Sequence, residues 1–416
     1  MPDTNAFVDK GQLRIAAVSA EGSIPVENAT VEISLTGEPE QVIEQLQTDR
    51  SGNTETIDLG APALEYSLEP GDTQPYSEYN LKITAPGFEE VMLAGVQILS
   101  GQSAISNIRM IPVVTETPPY NPLVIAPHTL WKLYPPKIAE AEIKDIGETG
   151  EIVLSRVVIP ETVIVHDGPP TDASAPNYYI PYRDYIKNVA SNEIYATWPE
   201  NTIIANVLAI MSFTLNRVYT EWYRNKGFDF TITSSTAYDH FFVYGRNYFD
   251  NISRIVDTIF SNFLSRPNVR QPILTQYCDG RRVSCPNWLS QWGSKYLGDQ
   301  GYSPLEILHN YYGTDMYINT AEQISGIPSS WPGANLTVGS TGSKVLQMQE
   351  QLLRISQAYP ALPSITPDGI FGNATQEAVR AFQRIFGLPE TGIVDYPTWY
   401  KISEIYVAVS RIAELN

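Results

Sequence analysis

The sequence predicts a multidomain protein, with an N-terminal all-β sandwich, a central α/β (α+β) unit and a C-terminal domain of three helices. Three observations lead there. The 416 residues suffice for two to four domains at roughly 100–200 residues each. Apolar residues alternate with period two over residues 11–113, as half-buried strands require, and recur at helical spacing from about residue 183. A second compact helical block opens at Leu336. The expected divisions are 1–113, a linker with short strands at 114–182, a unit at 183–325 and a domain at 335–416.

In the first division the alternation is carried by Leu13, Ile15 and Ala17, then Val31, Ile33 and Leu35, then Tyr79, Leu81 and Ile83, punctuated by Gly and Pro-Gly turns. The linker is marked by Pro118-Pro119, Pro135-Pro136 and Gly168-Pro169-Pro170, which favour irregular backbone. Within it, the acidic, Gly-containing run from Lys144 to Gly150 precedes an apolar, strand-like stretch from Ile152 to Pro160. An exposed junction at about 145–160 suits proteolysis. In the third division a helix from about 201 carries Ile204, Leu208 and Met211 on one face, and Arg217 and Glu221 one turn apart read as a solvated or locally bridged face. A further helix is expected from Asp250 to Leu264, and another at Ser303–Leu308. In the tail, Leu346, Leu352 and Leu353 line one helix, the Asp368–Thr375 segment makes a turn and N-cap, and Ala378, Val379 and Phe382 line the next.

Charge and composition exclude function classes. A net charge of −19, from 27 Lys+Arg against 46 Asp+Glu, opposes nucleic-acid binding, which depends on clustered cations. Residues 1–150 hold 22 acidic and 8 basic side chains, so most of the excess sits in the first third. No stretch approaches the ~18 apolar residues of a membrane span, and the N-terminus lacks the basic-then-apolar pattern of an export signal. Synthesis in a cytoplasm is the expectation. Four histidines and two cysteines leave little from which to build a zinc site, so no metal and no cofactor are expected. Cys278 and Cys285 bracket a turn-rich insert that lets them pair or share a metal; the cytoplasmic reading favours two reduced thiols.

Several segments resemble known families. Val26–Val31, Thr48–Gly52 and Tyr79–Phe88 together resemble transthyretin-like sandwiches, a fold with no chemistry of its own. The tail carries DGxFGxxT at 368–375, AVxxFQ at 378–383 and LPxTGxVD at 388–395, and over about 80 residues it resembles the type 1 peptidoglycan-binding domain. The central unit resembles the stage II sporulation protein D family of peptidoglycan lytic transglycosylases, through Tyr185–Glu193 followed by Trp198, Leu289–Gly293, and Gly301–Leu308 followed by Tyr311-Tyr312-Gly313. In this order, the three parts resemble the clostridial spore cortex-lytic enzymes along essentially the whole chain.

That resemblance implies a zymogen whose N-terminal sandwich is a pro-region, activated by a subtilisin-like germination protease. It implies a spore, cortex-associated location and peptidoglycan cortex glycan as the partner. Glu193 falls on the catalytic glutamate of the family. One such group suffices for a lytic transglycosylase, which closes the muramyl 6-hydroxyl on C1 and needs no second carboxylate, unlike a paired-carboxylate glycosidase. The expected glycan-contacting residues are Tyr195, Trp198, His240, Ser290 and Gln291, with Asp368, Phe371 and Phe382 bounding a groove in the tail. Ser290 is equally placed to cap a helix, Tyr195 and Trp198 to fill a core, and Tyr277 and Asp279 are weaker site residues. Phe241 stands at the cysteine of the family's zinc segment and Cys285 at a usual histidine, while Met211 replaces a helix arginine, so structural zinc is not expected there. Two other readings are a muramoyl–alanine amidase and a non-catalytic wall-binding or amidase-enhancing protein.

Overall fold

Alternation in the first third buries one side of each strand, so two sheets close on each other. The computed structural model describes residues 7–20, 23–113, 122–144, 154–325 and 331–411. The strands are β1 (Asp9–Ser19), β2 (Thr30–Leu35), β3 (Val42–Gln47), β4 (Ile57–Ala61), β5 (Ser77–Thr84), β6 (Val91–Ile98) and β7 (Ser103–Met110), with a one-turn helix α1 (Glu65–Leu68). Leu13, Ile15 and Ala17 of β1 face Val31, Ile33, Leu81 and Ile83, all with no exposed surface. Arg14, Ala16 and Val18 point to the other face. Neither sheet is made by residues 1–113 alone. β8 (Leu123–Val124) adds to β6 in the five-stranded sheet β3-β2-β5-β6-β8.

Beyond β8 the segment to Lys144 runs without regular structure across the central unit, as a strap. Its backbone is satisfied there: Thr129 N–H donates to Asn192 O at 3.1 Å, Ile138 N–H to Ala237 O at 2.7 Å, and Glu142 O accepts from Leu274 N–H at 2.9 Å. Two carboxylates fasten it. Glu140 takes a bidentate pair from Arg217 at 2.6 and 3.0 Å, and Glu142 another from Arg266 at 2.7 and 2.9 Å. Most of the 145–160 junction lies outside the described residues. Of the strand-like stretch before Pro160, only β9 (Val158–Ile159) is a strand among the described residues.

The central unit continues with β10 (Thr162–His166), β11 (Asn177–Pro181), α2 (Tyr182–Glu193), α3 (Glu200–Tyr219), β12 (Ile232–Thr233), β13 (Tyr248–Phe249) and α4 (Asp250–Ile259). It closes with β14 (Asn262–Ser265), β15 (Tyr277–Cys278), β16 (Leu289–Ser290), α5 (Gln291–Asp299), α6 (Pro304–Tyr312), β17 (Tyr317–Thr320) and β18 (Gln323–Ile324). β13 pairs with β7 and so completes the four-stranded sheet β13-β7-β1-β4 of the sandwich. α3 is the core helix. It is long and apolar enough to cross a membrane, in contrast to the sequence expectation, but 89% of that stretch is buried inside the protein. α6 starts as its sequence dictates, with Pro304 in the first turn and a reciprocal capping box between Ser303 and Glu306.

Three local expectations are corrected. The helix from Asp250 stops at Ile259, because Asn262–Ser265 pairs in register with Tyr317–Thr320 and the strand ladder takes those residues instead. Arg217 is 1% exposed rather than solvated, and its partners are Glu140 and Asp239. Glu221 lies beyond the helix with φ of 47° and bridges Arg224 at 3.4 Å. Cys278 and Cys285 are joined in a disulfide, with Cα atoms 5.6 Å apart.

The C-terminal helices are α7 (Ser343–Ala358), α8 (Asn373–Ile385) and α9 (Tyr396–Arg411). Their apolar faces meet at Met348, Leu352, Phe371, Phe382 and Trp399, all at most 1% exposed. The bundle docks on both other units. Arg183 of α2 bridges Asp257 of α4 at 3.1 Å and also reaches Glu404 of α9, and on the sandwich side Asn53 donates to Ile385 O at 3.0 Å.

Candidate functional site

Glu193 is the last residue of α2, and the backbone turns extended at Ile194. A carboxylate there meets the negative end of the helix dipole, which disfavours its ionised form. The side chain is 2% exposed. Its Oε1 accepts from Phe241 N–H at 2.6 Å and its Oε2 from the Tyr277 hydroxyl. Gln291 Nε2 donates to the Glu193 carbonyl at 3.0 Å and fixes the backbone. Burial raises the carboxyl pKa above the ordinary glutamate range, and Lys137 and the two hydrogen bonds offset this only in part. The result is a carboxyl that holds its proton more tightly than a free glutamate, in a rigid cradle.

Lys137 enters from the strap. It is half-buried, donates to Asp239 O and lies over the Tyr277 ring at 4.6 Å. Burial lowers its pKa, with Glu193 and Asp239 pulling the other way. The space between strap and Glu193 is a cavity of about 70 Å³, with Tyr134 and Lys137 on one side and Tyr277, Asp279 and Gln291 on the other. Ligand pockets usually measure about 300–1,000 Å³. A sugar ring therefore does not fit while the strap is in place.

The other carboxylates nearby are occupied. Asp239 binds Arg217 at 2.7 Å, the Tyr223 hydroxyl at 2.7 Å and Thr233 N–H at 2.9 Å. Asp279 Oδ1 accepts backbone N–H groups from Arg281, Arg282 and Val283, so it folds the loop that the disulfide closes. Gly280 in that loop has φ of 76°, and a Cβ there would stand 1.8 Å from Ser290 Oγ. Among the described residues no group of three or more His, Cys, Asp or Glu side chains is placed to hold a metal ion.

The structure separates the sequence-derived residues by role. Ser290 caps α5, accepting from Gly293 N–H at 2.9 Å. His240 is fully buried beside Glu193's cradle, with Nδ1 3.0 Å from the Tyr185 hydroxyl and Nε2 without a partner. Burial holds its pKa well below the usual value, so the ring is neutral, and its 0% exposure is incompatible with glycan contact in this state. Tyr195 and Trp198 are 2% and 3% exposed. Tyr195 stacks on His128 of the strap at 4.4 Å, and the Trp198 indole donates to Ser67 O of the sandwich at 3.0 Å. In the tail, Phe371 and Phe382 are core residues with no exposed surface, which corrects their assignment to a groove wall. Asp368 remains exposed and organises the turn, accepting from Ile370 N–H at 2.8 Å and Gln349 Nε2 at 3.0 Å. α8 begins with Gly372 at the cap and no side-chain cap bond.

Sequence reasoning gave Tyr277 too little weight and missed Lys137. The signal for Lys137 was slight: one cation after Pro135-Pro136 in an otherwise apolar run.

No curated protein matches the chain. Matches to solved structures are partial. The TIE protein of Bacillus anthracis is 14% identical, over 25% of this chain and 17% of that one, with a TM-score of 0.19. The minor pilin GBS52 of Streptococcus agalactiae is 18% identical, over 27% and 49%, with a TM-score of 0.19. Catechol 1,2-dioxygenase of Acinetobacter radioresistens is 11% identical, over 28% and 58%, with a TM-score of 0.19. This chain spans less than two thirds of each of those structures. One family model matches: residues 341–402, the α7–α9 bundle, are similar to the family described as "Putative peptidoglycan binding domain", which makes this a chain with a cell-wall-binding module.

Proposed function

We propose that this protein is a peptidoglycan lytic transglycosylase of the spore cortex, made as a zymogen, with Glu193 as its single acid and base. The observation that carries the reading is the Glu193 carboxyl, buried, with its pKa raised by burial and each oxygen held by a fixed donor. In the first half of the reaction Glu193 gives its proton to the glycosidic oxygen as the C1–O bond breaks. In the second, the carboxylate takes the proton of the muramyl 6-hydroxyl while that oxygen bonds to C1, leaving a 1,6-anhydro end and a reprotonated Glu193. The engagement of Asp239 and Asp279 elsewhere agrees with chemistry that needs one carboxylate.

The zymogen reading rests on what covers the site. Lys137 and Tyr134 over Glu193, His128 on Tyr195 and Ser67 on Trp198 all precede the 145–160 junction. Cleavage at that junction by a subtilisin-like protease severs the strap from the unit it covers, and its departure opens Glu193, Tyr195 and Trp198 together. The transthyretin-like sandwich then acts as the pro-region, and the C-terminal module keeps the enzyme on the cortex during germination. The test is release of muropeptides from purified cortex by the chain before and after cleavage at the junction, and by Glu193→Gln. A non-catalytic wall-binding protein, the reading favoured by the 341–402 match taken alone, releases none in any form.

A further inference from the structure

A second cleft, apart from the Glu193 cavity, lies where sandwich, central unit and C-terminal bundle meet, with a volume of about 350 Å³. Its charge is anomalous for a chain of net −19. Arg14 and Arg109, on the outer face of the β1/β7 sheet, and Arg246, after Gly245, all line it. Among the described residues none of the three forms an ion pair. Arg14 makes one side-chain bond, to Asn53 Oδ1 at 3.2 Å. Arg246 is 3% exposed; it donates to Gln97 Oε1 and to Ser191 O at 2.9 Å, while its Nε and Nη1 have no partner. Burial pulls its pKa down to about 10, with Tyr76 and Glu78 opposing.

The Arg246 guanidinium lies near Tyr76, Glu78, Tyr134 and Tyr195 and is closed to solvent, so Arg14 and Arg109 are the cleft arginines a ligand can reach. The other cations of the cleft are matched: Lys187 with Asp257 at 2.8 Å and Lys401 with Glu404 at 2.7 Å. The charge open to a ligand is therefore that of Arg14 and Arg109, with Asp184 in the lining and Asp250 and Asp49 near Arg14. The walls also supply aromatic rings: Tyr179, 70% exposed, and Tyr244, stacked on Tyr178 at 4.4 Å. An exposed ring beside arginines suits a sugar with carboxylates attached. One edge of the cleft is formed by Phe386 and Lys401, inside the peptidoglycan-binding match. Another is α2, which leads from Asp184 and Asn188 to Glu193, about 8 Å further along the helix axis from Asn188 at 1.5 Å per residue.

We propose that this cleft binds a peptide-substituted segment of the glycan in the intact chain. Arg109 and Arg14 take the stem-peptide carboxylates, and Tyr179 the apolar face of a sugar. The proposal rests on the cell-wall reading above but not on cleavage. It gives the unprocessed protein a second hold on its substrate, selective for strands that still carry peptide.

The test is calorimetric titration of the full chain carrying Glu193→Gln with two soluble probes, the GlcNAc-MurNAc-tetrapeptide and neutral chitotetraose. The charged probe binds more tightly, and its affinity falls with salt. Arg109→Gln, at an exposed position with no side-chain partner among the described residues, weakens the charged probe by about tenfold, as expected for one lost hydrogen bond to a charged group, and leaves the neutral probe unchanged. Arg14→Gln does the same. Equal affinity for the two probes, or charged-probe affinity unaffected by both Arg109→Gln and Arg14→Gln, overturns the cleft. If the double variant still sediments with insoluble peptidoglycan in that case, wall binding through 341–402 stands and only the cleft fails. If the unsubstituted full chain does not sediment at all, the cell-wall reading fails, and this proposal with it.

Discussion

At the residue scale, Glu193 is set by three backbone-level facts: the helix ends on it, Phe241 N–H meets one oxygen, and Gln291 pins its carbonyl. Its candidacy was legible through the resemblance of the Tyr185–Glu193 segment to a family motif. Its cradle was not, because Phe241 and Tyr277 are 48 and 84 residues away and no local pattern reports such contacts. Tyr277→Phe removes the donor that favours the ionised carboxyl, so the Glu193 pKa rises further. The acid form then persists to higher pH, and the alkaline limb of the kcat/KM profile of the processed enzyme moves upward. A profile that stays fixed or moves down denies Tyr277 this role. The raised pKa has a stability sign as well. A carboxyl raised above its unfolded value contributes stability present below the unfolded pKa, about 4.3 for glutamate, and lost as pH rises through the folded value. Glu193→Gln removes that dependence, so wild type and variant should diverge in melting temperature as pH is raised from 4 toward neutrality.

At the element scale, the strap has no regular structure but is anchored by ion pairs. Burial pushes the Glu140 carboxyl up, yet bidentate Arg217 and Lys144 outweigh it and hold the group below its usual range. Stability from a depressed carboxylate is fully present above its unfolded pKa, about 4.3, and lost as pH falls through the folded value. Hydrogen-exchange protection factors over 128–144 should therefore fall as the pH drops below about 4, and Glu140→Gln should cost about 1.5–3 kcal/mol and lower them at neutral pH. Unchanged protection would mean that packing of Tyr134 and Lys137, rather than the ion pairs, holds the strap. The sequence marked this stretch as irregular from its prolines, which is correct locally. Its burial depends on Arg217, 77 residues away, which sequence periodicity placed on a solvated or locally bridged face.

The disulfide belongs to the same scale. The six-residue insert left pairing, metal sharing and free thiols open, and the structure joins the two cysteines in a disulfide across the loop that leaves β15. Cys285→Ser should lower stability by about 2–4 kcal/mol and loosen Tyr277, read as a lower melting temperature that added reductant reproduces in the native chain. No effect of reductant would mean the loop is held by Asp279 alone.

At the scale of the whole molecule, strand alternation, helical periodicity and the tail motifs made the sheets and the C-terminal bundle legible. The way the parts join was not. β13 enters the sandwich sheet, β8 extends the other sheet, and Trp198 and Arg246 reach Ser67 and Gln97; each contact links positions remote in sequence. With these joins in place Glu193, Tyr195 and Trp198 are buried. The acidic first third fits a part made to cover the site rather than to act in it.

The central claim is that Glu193 cleaves glycan by ring closure once the strap is gone. It is tested most directly by mass analysis of the muropeptides that the chain cleaved within 145–160 releases from purified cortex, beside the same form of Glu193→Gln. The account predicts fragments ending in 1,6-anhydro-muramic acid from the first, and a fall of about 10²–10⁴-fold from the variant, with both folded by thermal melting and both sedimenting with cortex. Reducing muramic ends, free stem peptides, or anhydro ends released equally by the variant would contradict it.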